Sequence, residues 1–241
     1  MAEDRSLVTR GIGAQLHDII LGRILDGTYR PGERLLPAEL RAAFGVSITP
    51  IRDALQELRR AGFVHVRPRE AVTVSQLDAK RARDVLDMRI ALEMLAARNA
   101  AGCAPAAEVQ ALDRRLREAE AALAQSGDEA ALEAVDWALH DLVLRHADNE
   151  LLQEALRTIH RHVHWVGVIS GPVIRRYRQS FEEHKQVLRA LLRRDADGAA
   201  EAMRRHLTKT KRAVLRYLER RAPAAAPPAR RPRAAAQGGR G

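Results

Sequence analysis

The chain has 241 residues, which is enough for one or two domains with separate hydrophobic cores. Its composition is 46% hydrophobic but only 3% aromatic, and a net charge of +10 permits a nucleic-acid partner without establishing one. A single cysteine, Cys103, excludes an internal disulfide, and neither a run of about 18 apolar residues nor a signal-peptide pattern is present. We therefore expect a cytoplasmic protein in a reducing compartment.

The first elements in the chain predict three helices. Apolar residues at helical spacing indicate an amphipathic helix over Leu7–Asp26, and a Gly/Pro-containing turn cluster follows it. Pro37 can begin the next helix, because its missing N–H would be unpaired there anyway. Gly45 ends that helix, and Ser47 or Thr49 can cap a third. Two short helices around a tight turn indicate either a helix-turn-helix that enters a major groove or an ordinary helical hairpin.

The residues after the third helix decide between these two interpretations. Beyond Gly62 the apolar period changes from 3.6 to 2, and alternating stretches at Phe63–Arg67 and Val72–Val74 flank a basic tip. This pattern predicts a β-hairpin. Three helices followed by a two-stranded wing favour a winged helix-turn-helix DNA-binding domain, which we place at residues 1–76.

These motifs resemble the GntR family of bacterial transcription regulators. The matching segments read IILGRILDGTYRPGERL and AFGVSITPIRDALQELRRAGFVHVRP, over roughly residues 10–75. The resemblance implies that Ser47, Thr49 and Arg52 face phosphates or base edges, and that Arg67 and Arg69 serve the wing. A guanidinium can pair bidentately with guanine O6 and N7, so Arg52 is the first candidate for a base contact.

Three positions depart from the family pattern. Ile48 and Ala38 stand where the family often has arginine, and Ala71 stands at the usual wing glycine. Two positions that read guanine would then be apolar. We therefore expect an operator different from the family's common one, and Ile48 could instead contact a thymine methyl group.

From Leu77 to Arg221 the sequence predicts an all-α bundle, because helical segments follow one another with short connections. The tail, residues 222–241, is rich in Pro, Gly and Ala with four arginines, and we expect it to be disordered and basic. The predicted helices are Asp78–Ala101, Pro105–Gln125, Asp128–His146, Asn149–Val166, Pro172–Arg194 and Asp197–Arg221.

Four polar residues occupy or flank the apolar stripes of this bundle. Asp136 and His140 lie one helical turn apart, so both can reach one point. His184 and His206 straddle a helix break at about 11 residues on each side, so a helical hairpin brings them to the same level, roughly 16 Å from the turn. Three imidazoles and a carboxylate suit Zn²⁺, Ni²⁺ or another first-row divalent ion. The alternative is a set of core histidines, each bonded to a backbone carbonyl.

A second group of histidines competes with this set. His160 and His164 also lie at i and i+4, but the sequence offers them no obvious carboxylate partner. We interpret these two, together with His162, as surface or pocket-lining residues.

The helical region resembles the FCD ligand-binding domain of the FadR-like GntR branch, over about residues 78–218. The matching segments are DVLDMRIALEMLAARNA, VDWALHDLVLRHADNELLQEAL and SFEEHKQVLRALLRRDADGAAEAMRRHL. The resemblance implies metal binding by the same four residues, Asp136, His140, His184 and His206, with a small organic acid beside the metal.

Arg89 lies on an apolar stripe, where a buried charge requires a partner. Glu93, one turn further, could pair with it structurally, or Arg89 could hold an effector carboxylate in a bidentate fork. The resemblance favours the second interpretation. The sequence thus predicts a homodimeric repressor or activator that binds a palindromic operator and is gated by an organic acid. The alternatives are a metal-dependent hydrolase, which would use the three histidines and the aspartate, and a DNA-packaging protein without an effector.

Overall fold

The computed structural model of the chain describes residues 11–66, 72–76, 78–126, 130–170 and 177–221. Within these residues the fold is mainly α, with helices throughout and one small sheet. The helices are α1 (Ile12–Leu25), α2 (Pro37–Phe44), α3 (Ile48–Arg60), α4 (Ala79–Cys103), α5 (Ala106–Ser126), α6 (Ala130–Arg145), α7 (Glu150–Ser170), α8 (Tyr177–Leu192) and α9 (Ala196–Arg221). The strands are β1 (Arg34–Leu35), β2 (Val64–Val66) and β3 (Val72–Val74).

The N-terminal part, which we call the head, is built from α1 to α3 and the three strands. Gly45 adopts a left-handed conformation with φ of 65° and ends α2, and Ser47 occupies the N-cap position of α3 with an extended backbone. The apolar side of α3 is buried against α1 and the sheet through Ile51, Leu55 and Leu58. The predicted helix-turn-helix is therefore present.

The sheet forms the predicted wing and adds one strand. β2 and β3 pair antiparallel, with Val64 opposite Val74 and Val66 opposite Val72. β1 also pairs with β3, through Arg34 opposite Thr73, so the strand order is β1-β3-β2. The sequence pattern does not indicate β1, because its two residues are strand-like only through this non-local pairing. The tip of the wing, residues 67–71, lies outside the described residues.

The C-terminal part is the predicted all-α bundle, and we call it the sensor after the effector-binding role expected from the sequence. α4 is its central helix and packs along α9 and against α6, α7 and α8. Asn149 caps α7 by accepting a hydrogen bond from the Leu152 N–H at 3.0 Å. At the start of α9 the capping carboxylate is Asp195, which accepts a hydrogen bond from the Gly198 N–H at 2.8 Å.

No helix within the described residues combines the length and the apolarity that a bilayer crossing requires. The head and the sensor share apolar contacts, because Trp165 of α7 is buried within the head's hydrophobic core.

Candidate metal and DNA-binding sites

Three helices bring the four predicted metal ligands together in the sensor. α6 carries Asp136 and His140, α8 carries His184 and α9 carries His206. One ligand atom from each lies within 4.8 Å of the ligand atoms of the other three. His184 Nε2 lies 3.3 Å from Asp136 Oδ1 and 3.3 Å from His206 Nε2. The three imidazoles are buried and Asp136 is half-buried.

Local geometry explains why these residues converge. One turn of α6 separates Asp136 from His140, so both side chains leave the helix on one side. α8 and α9 form a helical hairpin, and their packed faces place His184 beside His206 with ring centroids 4.5 Å apart.

Two carboxylates outside the predicted set orient the imidazoles. Glu93 of α4 contacts His140 Nδ1 at 2.5 Å, and Glu183 of α8 contacts His206 Nδ1 at 2.9 Å. Such carboxylate contacts fix the ring tautomer and leave Nε2 free to bind a metal. From the sequence, Glu93 is expected only as the partner of Arg89, and Glu183 is not predicted to take part. The position of Glu183 directly before His184 does not indicate this role, because Glu183 contacts His206 on the neighbouring helix.

The protonation states of the cluster favour cation binding. Burial, together with the neighbouring His206, lowers the pKa of His184 to about 3, so its imidazole is neutral at pH 7. Burial also lowers the pKa of His206, although its bond to Glu183 opposes this shift. Burial alone would raise the pKa of Asp136, but the imidazoles of the cluster, led by His184, lower it below its ordinary value. Neutral imidazoles beside an ionised carboxylate are the forms that bind metals.

His140 provides a test of whether the residues fit a metal. Its Nε2 atom is buried and has no hydrogen-bond partner among the described residues, whereas its Nδ1 is bonded to Glu93. A buried polar atom normally has a partner. A divalent ion would satisfy this nitrogen, and the donor set of three imidazoles and one carboxylate matches the preference of Zn²⁺ or Ni²⁺.

Arg89 lies beside the cluster and is buried. Its Nε donates to Glu93 Oε1 at 2.6 Å, so the pairing with Glu93 considered from sequence is present. Burial would raise the pKa of Glu93, but His140 and Arg89 hold it well below its ordinary value. The guanidinium has five N–H groups, so the bond from its Nε to Glu93 leaves other N–H groups that could bind a ligand carboxylate.

Two of the competing histidines differ from what the sequence predicted, His160 in its partner and His162 in its burial. His160 does have a carboxylate partner, since its Nε2 lies 3.0 Å from Glu93 Oε1. His162 is buried and stacks on Phe63 of the head, with ring centroids 4.3 Å apart. His164 is exposed, as expected. Both differences arise from contacts with elements far away in the sequence.

The predicted DNA-contacting residues of α3 lie on the outer face of the head. Ser47, Thr49 and Arg52 are exposed, and the opposite side of α3 is buried. The other two candidates, Arg67 and Arg69, lie outside the described residues. An exposed polar face on the second helix of a helix-turn-helix is the arrangement that reads a major groove.

A winged helix-turn-helix followed by a helical bundle with a buried cluster of potential metal ligands is the arrangement of a DNA-binding regulator with an attached helical domain. Comparison with known protein families supports this class of protein. The family model for bacterial regulatory proteins of the gntR family matches residues 12–74, and the FCD domain model matches residues 84–209. The chain belongs to the GntR family of regulators that carry an FCD domain.

Individual proteins show the same relationship. The chain is 25% identical over 206 residues to the transcriptional repressor RspR of Escherichia coli, covering 86% of this chain and 90% of that protein. It is 24% identical over 192 residues to the transcriptional regulator YdhC of Bacillus subtilis, covering 80% and 86% respectively. The solved structure of E. coli McbR has the same fold, with a TM-score of 0.62 at 21% identity, covering 86% of this chain and 99% of that one.

The chain is therefore a DNA-binding transcriptional regulator and not an enzyme. The hydrolase alternative has no support, because the family and its named relatives are regulators of transcription.

Proposed function

We propose that this regulator is a repressor whose operator binding is controlled by a small carboxylate metabolite bound at a metal site in the sensor. A divalent ion, Zn²⁺ or Ni²⁺, would be held by Asp136, His140, His184 and His206. Two chains would pair and place their heads on a palindromic operator with half-sites about one helical turn apart. Ser47, Thr49 and Arg52, together with Arg67 and Arg69 in the wing, would contact the DNA.

The observation that carries this proposal is the convergence of four ligand atoms within 4.8 Å beside a buried arginine. Burying an arginine and several imidazoles together is unfavourable unless each is paired or binds a ligand. Glu93 and Glu183 account for the Nδ1 sides of two imidazoles, which leaves the facing Nε2 atoms to the ion. When bound, the ion supplies a positive charge to which an acid's carboxylate can bind.

The N–H groups of Arg89 beyond its bond to Glu93 would hold the same acid. A guanidinium fork and a metal ion together recognise a carboxylate with a second oxygen substituent better than either does alone. The acid can change operator binding only if it has different affinities for the two arrangements of the heads.

A gel-shift assay tests this gating. The probe is the DNA upstream of the protein's own gene, and the metal-loaded protein is titrated with a panel of small organic acids. We expect at least one acid to release the DNA. Arg89→Lys keeps the positive charge but lacks the fork. In this variant the concentration of acid required should rise at least about tenfold, whereas operator affinity without acid should be unchanged.

Arg83→Lys is the matched control, because Arg83 is exposed on the same helix. It should respond to the acid as the wild type does. A protein that contains no metal and whose operator affinity is the same with every acid tested would contradict the proposal.

A further inference from the structure

Helix α7 contacts the metal-binding cluster through His160. The Nε2 atom of His160 bonds to Glu93, whose second oxygen contacts the metal-ligand candidate His140. The rings of His140 and His160 lie 6.4 Å apart, edge to face. A single buried carboxylate therefore joins a predicted metal ligand to α7.

The same helix enters the head two and five residues later. His162 stacks on Phe63 with an interplanar angle of 10°, and Trp165 meets the same ring edge to face at 5.8 Å. Trp165 is only 1% exposed and belongs to the head's hydrophobic core. Phe63 directly precedes β2, the first strand of the wing.

Arg81 of α4 strengthens this contact region. Its guanidinium donates to the carbonyl of Gly62 at 2.7 Å and lies over the Trp165 ring at 5.7 Å. Ser75, which follows β3, donates its hydroxyl to the same carbonyl at 2.8 Å. We call the set Gly62, Phe63, Arg81, His162 and Trp165 the joint.

α7 is also packed into the sensor core. Val163 and Val166 are buried in a cluster with side chains of α4 and α9. Because protein interiors are closely packed, a shift or rotation of α7 must displace its neighbours on both sides. The rise from His160 to Trp165 is about 7.5 Å along the helix axis, which is too short for bending to absorb such a movement.

We propose that α7 transmits the state of the metal-binding cluster to the DNA-binding head of the same chain, through the Glu93–His160 contact at one end and the Phe63–Trp165 contact at the other. The proposal rests on the function proposed above. Fixing His140 as a ligand also fixes Glu93, and through it the position of His160. Trp165 follows as part of the same rigid helix and changes the packing of Phe63 beneath the wing.

Tryptophan fluorescence of the full-length chain tests this route, because the sequence has only two tryptophans, Trp137 and Trp165. In Trp137→Phe the remaining emission comes from the joint. Zn²⁺ is added to chelator-treated protein, and its binding is measured separately by calorimetry. We expect Zn²⁺ to shift the emission maximum or intensity of Trp165. The double variant Trp137→Phe/His160→Ala should still bind about one Zn²⁺ per chain, but the change in Trp165 emission should be at least halved.

His164→Ala is the matched control, since His164 is exposed on the same helix and near Trp137, and it should keep the full response. Hydrogen exchange of the wild type gives a second measurement. Zn²⁺ should slow exchange at the amides around Phe63, and less so in His160→Ala. If Zn²⁺ binds but neither Trp165 nor Phe63 changes, the route through α7 is overturned while the metal site stands. The same holds if His160→Ala shows a change equal to that of the protein with His160. Failure of Zn²⁺ to bind the wild type would overturn the metal site and this inference together.

Discussion

Glu93 shows how much of the sensor depends on single buried residues. Its two oxygens contact Arg89, His140 and His160, which come from three elements and serve three proposed roles. Although fully buried, it stays ionised, because His140 and Arg89 hold its pKa well below the ordinary value. If one of the three partners shifts the Glu93 carboxylate, the other two lose a buried charged partner, which is energetically costly. Effector and metal binding are therefore expected to be coupled at this residue.

His162 should make the stability of the fold depend on pH. Burial, followed by the nearby charge of Arg81, lowers its pKa from 6.5 to about 4. Between these values the unfolded chain takes up a proton that the folded chain does not, so stability falls as pH decreases from 6.5 towards 4. The loss attributable to His162 is at most about 3 kcal/mol.

The measurement is unfolding by urea at a series of pH values, with a chelator present. The His162 ring is hydrogen-bonded to the backbone of Ala61, and a glutamine amide can also bond there. His162→Gln therefore removes the titrating group and should lose less stability on acidification than the wild type. His164→Gln, an exposed neighbour, controls for the loss of an imidazole. Parallel curves for wild type and His162→Gln would contradict the assignment.

At the scale of elements, the sequence predicts what depends on local spacing. The helix-turn-helix, the wing strands and the sensor helices follow from periodicity and turn residues, and their bounds differ from the observed ones by a few residues. The convergence of Asp136 with His140, and of His184 with His206, also follows from helical spacing. What the sequence could not predict depends on distant contacts. These are the pairing of β1 with β3, the link from Glu93 to His160, and the burial of His162 against Phe63.

The contact of Gly62, between α3 and β2, with Arg81 of α4 is also one that the sequence could not predict. The φ of Gly62, 79°, is in the left-handed region, and a Cβ added there would lie 2.6 Å from a guanidinium nitrogen of Arg81. Because a residue with a Cβ is strained at this φ, Gly62→Ala should destabilise the chain by about 1–3 kcal/mol. It should also weaken the bond from Arg81. Thermal unfolding measures the loss, and Trp165 emission reports on the joint.

Gly22→Ala is the matched control, because Gly22 lies within helix α1 and an added Cβ would meet nothing within 4 Å. Its stability should be unchanged or higher by up to about 1 kcal/mol. If Gly62→Ala were as stable as Gly22→Ala, the left-handed backbone at Gly62 would be contradicted.

For the whole molecule, a bound ion would join helices that are far apart in the sequence. The candidate ligands lie on α6, α8 and α9, and the residues that orient them lie on α4 and α8. An ion that binds only the folded chain stabilises it by about 2.7 kcal/mol at a hundredfold excess over its dissociation constant. For a chain of this length that corresponds to about 5–10 °C in Tm.

Chelation should lower Tm by this amount, and added Zn²⁺ should restore it. Asp136→Ala should lose most of the response, whereas Asp141→Ala, exposed on the same helix, should keep it. If the Tm of the wild type changes with neither chelator nor Zn²⁺, the four residues form a buried polar cluster and not a metal site.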